Sequence, residues 1–162
     1  MTESLIIYFE EIMKFFLALI LSQVIGLASS NALAVDCSKE QAKAAVEKAC
    51  SQISSTGKAA LKEIRKFRYC GSNYVWIQNQ KVEMVMHPIK PRLNRKSLKA
   101  NKDEDGKHLF VAFHDTANAN KNGGWVDYLW AKPGAEKATA KTSFVKKCGG
   151  DLGWIAGSGI WK

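Results

Sequence analysis

Two aromatic residues and one lysine, Tyr128, Trp130 and Lys141, have the types and spacing of a site for a small anion. Residues 125–130 are mostly aromatic or aliphatic and precede a proline–glycine pair, which predicts a strand and then a turn. Residues 139–145 alternate between two faces, which predicts a second strand carrying Lys141. Tyr128 and Trp130 share one face of the first strand. If the two strands pair so that these residues lie opposite Lys141, the lysine ammonium group lies beside two aromatic side chains.

Three further candidates for this site are His87, Trp76 and Arg92. His87 either donates a hydrogen bond to a carboxylate or only ends a strand before the following proline. Trp76 lies in a short apolar run and either walls a pocket or belongs to the core, and the same alternative holds for both hairpin aromatics. Arg92 lies in a basic segment that contains proline. It is expected to close the pocket by bidentate hydrogen bonding to the bound anion. For Lys141 the alternative is an ordinary solvent-facing lysine.

The elements that must position these residues begin with a helix. A capping box at Ser38 to Gln41, followed by apolar residues at steps of three and four, predicts a long amphipathic helix within residues 35–73. The run from Ser54 to Gly57 is expected to kink or interrupt it. Two strands are predicted next, at residues 74–77 and 82–86, followed by a covering segment at 89–102 and a turn at 103–106. A short helix at 109–122 and three strands at 125–130, 139–145 and 154–161 complete the chain.

The N-terminus has the pattern of a secretory signal peptide. A lysine, an apolar run and an Ala32-Leu33-Ala34 ending predict cleavage after Ala34, so that residues 1–34 are removed. The acidic first twelve residues fit this pattern poorly, and Met13 is the alternative start. An uncleaved N-terminal anchor is the other alternative. The expected product, residues 35–162, is periplasmic or secreted and does not span the membrane.

Four cysteines, Cys37, Cys50, Cys70 and Cys148, lie in the expected mature chain and predict disulfides in an exported protein. If residues from Ser38 onward form one helix, Cys50 lies roughly 18 Å along its axis, too far for a local bridge to Cys37. Cys70 with Cys148 is the preferred pair, although sequence allows three connectivities. Zinc is disfavoured because no CxxC pair is present.

The composition disfavours several functions. Residues 35–162 carry 23 basic and 12 acidic side chains, a net charge of +11, but the bases are dispersed and export disfavours nucleic acid. A cationic surface that attracts anionic lipid, polysaccharide or small anions is favoured instead. The acidic turn at residues 103–106 lacks the ligand spacing of a calcium loop. The histidines have no recognisable nucleophile elbow beside them, and neither an enzyme nor a cofactor is expected.

The chain resembles the single Cache domains, extracytoplasmic ligand-sensing modules that also occur as small secreted proteins. The resemblance spans residues 74–162 and rests on motifs in the family's order: YVWI, MVMHP, DEDGKHLF, GGWVDYLWAKPG, KTSFVKK and GWIAGSGIW. It implies an α+β, PAS-like fold with a five-stranded, largely antiparallel sheet, a long N-terminal helix on one face and a ligand pocket on the other. Two features depart from the family, the turn Gln78-Asn-Gln-Lys81 and the four cysteines.

The resemblance also implies a ligand class, small organic acids such as acetate, propionate, pyruvate or lactate. We therefore expect residues 35–162 to form one unit, in which the helix of residues 35–73 precedes a sensor domain of residues 74–162. This unit is expected to bind a short-chain carboxylate without transforming it. It would act in signal transduction or chemotaxis through a membrane receptor or kinase partner. The alternative is a cationic cell-envelope interaction or scaffold protein without a small ligand.

Overall fold

A computed structural model of the protein describes residues 37–162, so the predicted signal peptide, the start at Met13 and the anchor alternative lie outside the described residues. The helices within this range are α1 Lys39–Thr56, α2 Leu61–Lys66 and α3 Leu109–Ala119, with 3₁₀ turns at Gly57–Ala60 and Pro91–Leu93. The strands are β1 Trp76–Gln78, β2 Met84–Met86, β3 Gly124–Ala131, β4 Ala138–Lys147 and β5 Ile155–Trp161.

The predicted long helix forms, but it is interrupted and ends early. Its capping box is present, since the Gln41 amide donates to the Ser38 hydroxyl at 3.3 Å and the Ser38 amide donates to the Gln41 side chain at 2.9 Å. Gly57 ends α1 with a φ of 57°, a left-handed conformation that glycine tolerates. The interruption is therefore where the sequence indicated it. α2 ends at Lys66 rather than near residue 73, because Phe67 adopts an extended backbone.

The five strands pair antiparallel in the order β2-β1-β5-β4-β3, which confirms the predicted α+β fold. In the β3–β4 hairpin, Tyr128 lies directly opposite Lys141. On the other side of β4, Trp161 of β5 is opposite the same lysine. Because residues directly opposite each other point to the same side of a sheet, Lys141 is flanked by aromatic residues on both neighbouring strands.

The central strand β5 carries a glycine where an aromatic ring must lie flat. Gly157 is opposite Trp76 of β1 in the strand register. A side-chain carbon at Gly157 would overlap the Trp76 ring. The glycine that interrupts this strand pattern therefore makes room for an indole on the sheet face that carries Lys141.

Two hydrophobic cores lie on opposite faces of the sheet. α1 packs on one face, and its apolar stripe meets Val75, Ile77 of β1 and Phe144 of β4. The second face carries Trp76, Tyr128 and Val145 and is covered by α3, which contributes Phe110 and Phe113. The Gln78 side chain donates to the Phe110 carbonyl at 3.1 Å and fixes the start of α3 over this face. The helix and the covering segment thus enclose the face on which the candidate site residues lie.

The described cysteines form two disulfides, Cys37 with Cys70 and Cys50 with Cys148. The preferred Cys70–Cys148 pairing is therefore wrong, although disulfide formation itself was predicted. Because α2 ends early, residues 69–73 turn back, with a Tyr69–Asn73 bridge, and this turn brings Cys70 to the start of α1. Cys50, on the buried side of α1, then meets Cys148 just after β4. Neither pair leaves a thiol for zinc.

Loops cover both outer edges of the sheet. Beside β2, the Arg95 amide donates to the Met84 carbonyl at 2.7 Å. Beside β3, the predicted turn at residues 103–106 forms, and the Asp103 carboxylate accepts the Leu129 amide at 3.1 Å. Lys107 donates to the Asp127 carbonyl on the same edge. These contacts occupy edge groups that would otherwise pair with another strand. Within residues 37–162, no helix has the length and apolar composition required for a membrane crossing.

Candidate functional site

A small cavity lies between the second face of the sheet, α3 and His87, which directly follows β2. Inside it, the space open to the centre of a water molecule is about 10 Å³, which corresponds to roughly one water. Its walls are almost entirely aromatic or aliphatic, apart from one imidazole. The lining side chains are Tyr74, Trp76, His87, Leu109, Phe110, Phe113, Tyr128 and Trp130.

Ring-to-ring packing holds these walls in place. The centroid of the Phe113 ring lies 4.8 Å from that of Trp76 and 4.9 Å from that of Tyr128. Phe110 meets Trp130 edge-on at 5.9 Å. The spacing of three residues between Phe110 and Phe113 sets both on one side of α3, while the alternation of β3 sets Tyr128 and Trp130 on one side of the sheet. The cavity is therefore closed by side chains from both layers.

The hydroxyl groups of the two tyrosines are occupied by protein partners. Tyr128 and Ser143 share a buried hydrogen bond of 2.9 Å, and the Trp130 indole donates to the Tyr74 hydroxyl at 3.2 Å. Burial raises the pKa of Tyr74 to about 12 and raises the pKa of Tyr128 further. Both phenols therefore stay protonated near neutral pH, and the two tyrosines serve as walls rather than as acids or bases.

His87 is a neutral hydrogen-bond donor at the cavity wall. Its Nδ1 accepts from the Ile89 amide at 3.3 Å and from the Lys90 amide at 2.9 Å, so the ring proton must be on Nε2. Burial, and then the charges of Lys141 and Lys90, lower the pKa of His87 to about 3. The turn that follows His87-Pro88 thus fixes the tautomer, and the imidazole offers an N–H group without carrying a charge.

Lys141 is a buried cation next to this cavity. Its side chain is 2% exposed, and its Nζ lies 3.8 Å from the centroid of the Trp161 ring and 4.8 Å from that of Tyr74. Over residues 37–162, no carboxylate lies within ion-pair distance of Nζ. Burial, and then the charge of Lys90, lower the pKa of Lys141 to about 7. The aromatic contacts offset part of the cost of burying the ammonium group, but a bound anion would offset much more.

Of the six residues predicted for the site, four line the cavity: Trp76, His87, Tyr128 and Trp130. Lys141 does not line the cavity itself, but its Nζ lies 4.8 Å from the ring centroid of Tyr74, which does. Arg92 is exposed in the 3₁₀ turn and does not line the cavity. The cation of this segment that contacts the aromatic wall is Lys90, whose Nζ lies 4.2 Å from the centroid of the Trp130 ring.

Sequence reasoning missed Lys90 and four lining residues, Tyr74, Leu109, Phe110 and Phe113. A signal for Tyr74 was present, because it lies two positions before Trp76 and so shares its face. The spacing of the two phenylalanines predicted that they share a helix face, but that pattern does not separate a cavity wall from an ordinary core. No pattern in an irregular segment indicated the direction of Lys90.

A five-stranded antiparallel sheet with a long helix on one face and an aromatic cavity on the other defines a PAS-like ligand-sensing domain. The chain belongs to the Cache domain family, whose sequence profile matches residues 27–162. This confirms the family resemblance noted from the motifs.

One curated relative is a chemotaxis receptor protein. The methyl-accepting chemotaxis protein McpP of Pseudomonas putida is 38% identical over 102 residues, which are 63% of this chain and 18% of that protein. The chain thus spans less than one fifth of this curated relative.

Solved structures share the fold. A periplasmic sensor domain of a chemotaxis protein is 38% identical with a TM-score of 0.64, covering 75% of this chain and 88% of that one. A Cache chemosensory domain described for its recognition of carboxylic acids is 33% identical with a TM-score of 0.63, covering 75% and 86%. A methyl-accepting chemotaxis protein from Vibrio parahaemolyticus is 22% identical with a TM-score of 0.61, covering 75% and 82%, and supports the fold alone.

Proposed function

We propose that the domain binds a short-chain carboxylate without transforming it, and that binding serves chemosensory signalling outside the cytoplasm. The observation that carries this proposal is the buried ammonium group of Lys141, which has no carboxylate partner within residues 37–162. A buried cation without a counter-ion is costly, and an anionic ligand removes that cost. The neutral imidazole of His87 supplies a hydrogen-bond donor nearby.

In the proposed complex, Lys141 Nζ and His87 Nε2 bind the carboxylate, and Trp76, Tyr128 and Trp130 pack against its alkyl group. Because the ligand-free cavity has room for roughly one water, binding requires the walls to shift outward. Such a small cavity favours acids with a chain of two or three carbons. The closing role predicted for Arg92 passes to Lys90, which already contacts Trp130.

The relatives support the ligand class and the setting. The carboxylic-acid-recognising Cache domain shares 33% identity with this chain, and the chemotaxis relatives suggest a receptor context. We therefore propose a periplasmic or secreted location and a membrane receptor or kinase as the signalling partner. Catalysis forms no part of this proposal.

A thermal-shift comparison of charged and neutral ligands of equal size tests the ligand class. Acetate and propionate should raise the melting temperature of the purified protein in a concentration-dependent way, whereas acetamide and propionamide should not. A ligand at a hundred times its Kd adds about 2.7 kcal/mol to the free energy of unfolding, which is easily measured. Equal shifts with the acids and the amides would contradict a charge-based site. No shift with any acid would favour the cationic scaffold alternative.

A further inference from the structure

Lys141 has the surroundings of a reactive amine as well as those of an anion-binding cation. Its Nζ lies between the rings of Trp161 and Tyr74, and its side chain is 2% exposed. Among the described residues, no acid holds its proton in place, and Lys90 adds a second positive charge nearby. Lysines become nucleophilic amines when they are desolvated in an apolar pocket or lie next to another cation, and both conditions apply here.

We propose that Lys141 forms a reversible imine with the carbonyl group of a bound 2-oxo acid. This inference rests on the carboxylate-binding function, and it separates 2-oxo acids from simple carboxylates at the same site. A simple acid can only form an ion pair with the ammonium group, whereas a 2-oxo acid also offers an electrophilic carbon to the neutral amine.

The chemical step balances without any oxidant or reductant. The lone pair of Nζ attacks the carbonyl carbon, and the electrons of the C=O double bond move to oxygen, which takes a proton from nitrogen to give a carbinolamine. The hydroxyl group then leaves as water with the second proton of the amine, and a C=N bond remains. Near neutral pH a substantial fraction of Lys141 is already the neutral amine, because burial and Lys90 lower its pKa to about 7.

Neighbouring groups suit each end of such a ligand. As a neutral imidazole, His87 presents its Nε2–H group, and this form polarises a carbonyl group by hydrogen bonding without transferring its proton. The ammonium group of Lys90 lies against the Trp130 ring and can offset the negative charge of the carboxylate while Lys141 is uncharged. Lys141 itself must change rotamer to pass Tyr74, whose ring centroid lies 5.0 Å from that of His87. Four rotatable side-chain bonds make this movement available to a lysine.

Reductive trapping tests this inference on the unmodified protein. The protein is incubated with pyruvate and cyanoborohydride near pH 7, and peptide mass mapping then compares adduct formation at every lysine. We expect Lys141 to be modified at least about tenfold faster than any surface lysine, because its neutral fraction is far larger. Excess acetate should suppress this modification, since it competes for the site. The surface lysines serve as internal controls.

Lys141→Arg provides a second control, because arginine keeps the positive charge but forms no imine under these conditions. In that variant the fast adduct should disappear while the slow surface adducts remain. If pyruvate and acetate both stabilise the protein but Lys141 reacts no faster than surface lysines, imine formation is wrong and carboxylate binding stands. If neither acid binds and no preferred adduct forms, the proposed function fails as well.

Discussion

Replacing Lys141 with methionine is expected to weaken carboxylate binding strongly and, at the same time, to raise the melting temperature of the ligand-free protein. Loss of one partner of a buried charge pair costs about 2 to 5 kcal/mol of binding free energy, or roughly 30-fold or more in Kd. Without ligand, however, the buried ammonium group has no carboxylate partner among residues 37–162. An apolar side chain of similar length removes its desolvation cost and should stabilise the fold by about 1 to 3 kcal/mol.

The matched control is Lys137→Met, which removes the same charge from an exposed position in the β3–β4 turn. This variant should leave both the affinity for acetate and the melting temperature nearly unchanged. Calorimetric titration with acetate and thermal unfolding without ligand measure the two effects separately. A Lys141→Met protein that binds acetate like the parent, or that is strongly destabilised without ligand, would contradict the assignment of Lys141.

Loss of the Cys50–Cys148 disulfide is expected to destabilise the protein more than loss of Cys37–Cys70. The first pair closes a loop with a sequence separation of 98 and the second a loop of 33. In the chain-entropy model these separations correspond to about 4 to 5 and about 3 to 4 kcal/mol. The difference should grow further because Cys50 and Cys148 are both buried where α1 meets the sheet, whereas Cys37 and Cys70 are only half-buried.

Two double variants decide this order, Cys50→Ala with Cys148→Ala and Cys37→Ala with Cys70→Ala. Denaturant unfolding gives the free energy of unfolding of each against the parent. The variant without Cys50–Cys148 should lose more free energy of unfolding than the variant without Cys37–Cys70. It should also be cleaved more readily by proteases at α1. Equal losses of free energy of unfolding, or a larger loss without Cys37–Cys70, would show that the Cys50–Cys148 disulfide is not the main link between α1 and the sheet.

The regular elements of this fold were predictable because the spacing of their apolar residues indicates which side of each helix or strand is buried. The capping box and the apolar steps located α1, and the alternation in β4 put Lys141 on the same face as Tyr128 once the strands pair in register. The cysteine pairing was not predictable in this way. It depends on where α2 ends and on the turn that carries Cys70 back to α1, and neither leaves a periodic pattern.

The covering segment shows the same limit at the site. Two basic residues, Lys90 and Arg92, lie two positions apart in an irregular stretch, where sequence spacing gives no direction to a side chain. The hydrogen bonds from the Ile89 and Lys90 amides to His87 fix the turn, and the 3₁₀ helix that follows leaves Arg92 exposed. Lys90 contacts the Trp130 wall instead. The basic residue of this segment that contacts the wall is thus Lys90 and not Arg92, and a closing role for it stays a proposal.

Proton uptake on ligand binding tests most directly the claim that a carboxylate pairs with Lys141. At pH 8 the free protein holds this amine mostly neutral, since burial and Lys90 lower its pKa to about 7, and a bound carboxylate must raise that pKa again. Acetate binding should therefore take up close to one proton. His87, with a pKa of about 3, contributes none at this pH. Titration calorimetry in buffers of different ionisation enthalpy should give a positive slope near one and an affinity that falls about tenfold per pH unit above pH 8. A slope of zero with a pH-independent affinity would contradict the account.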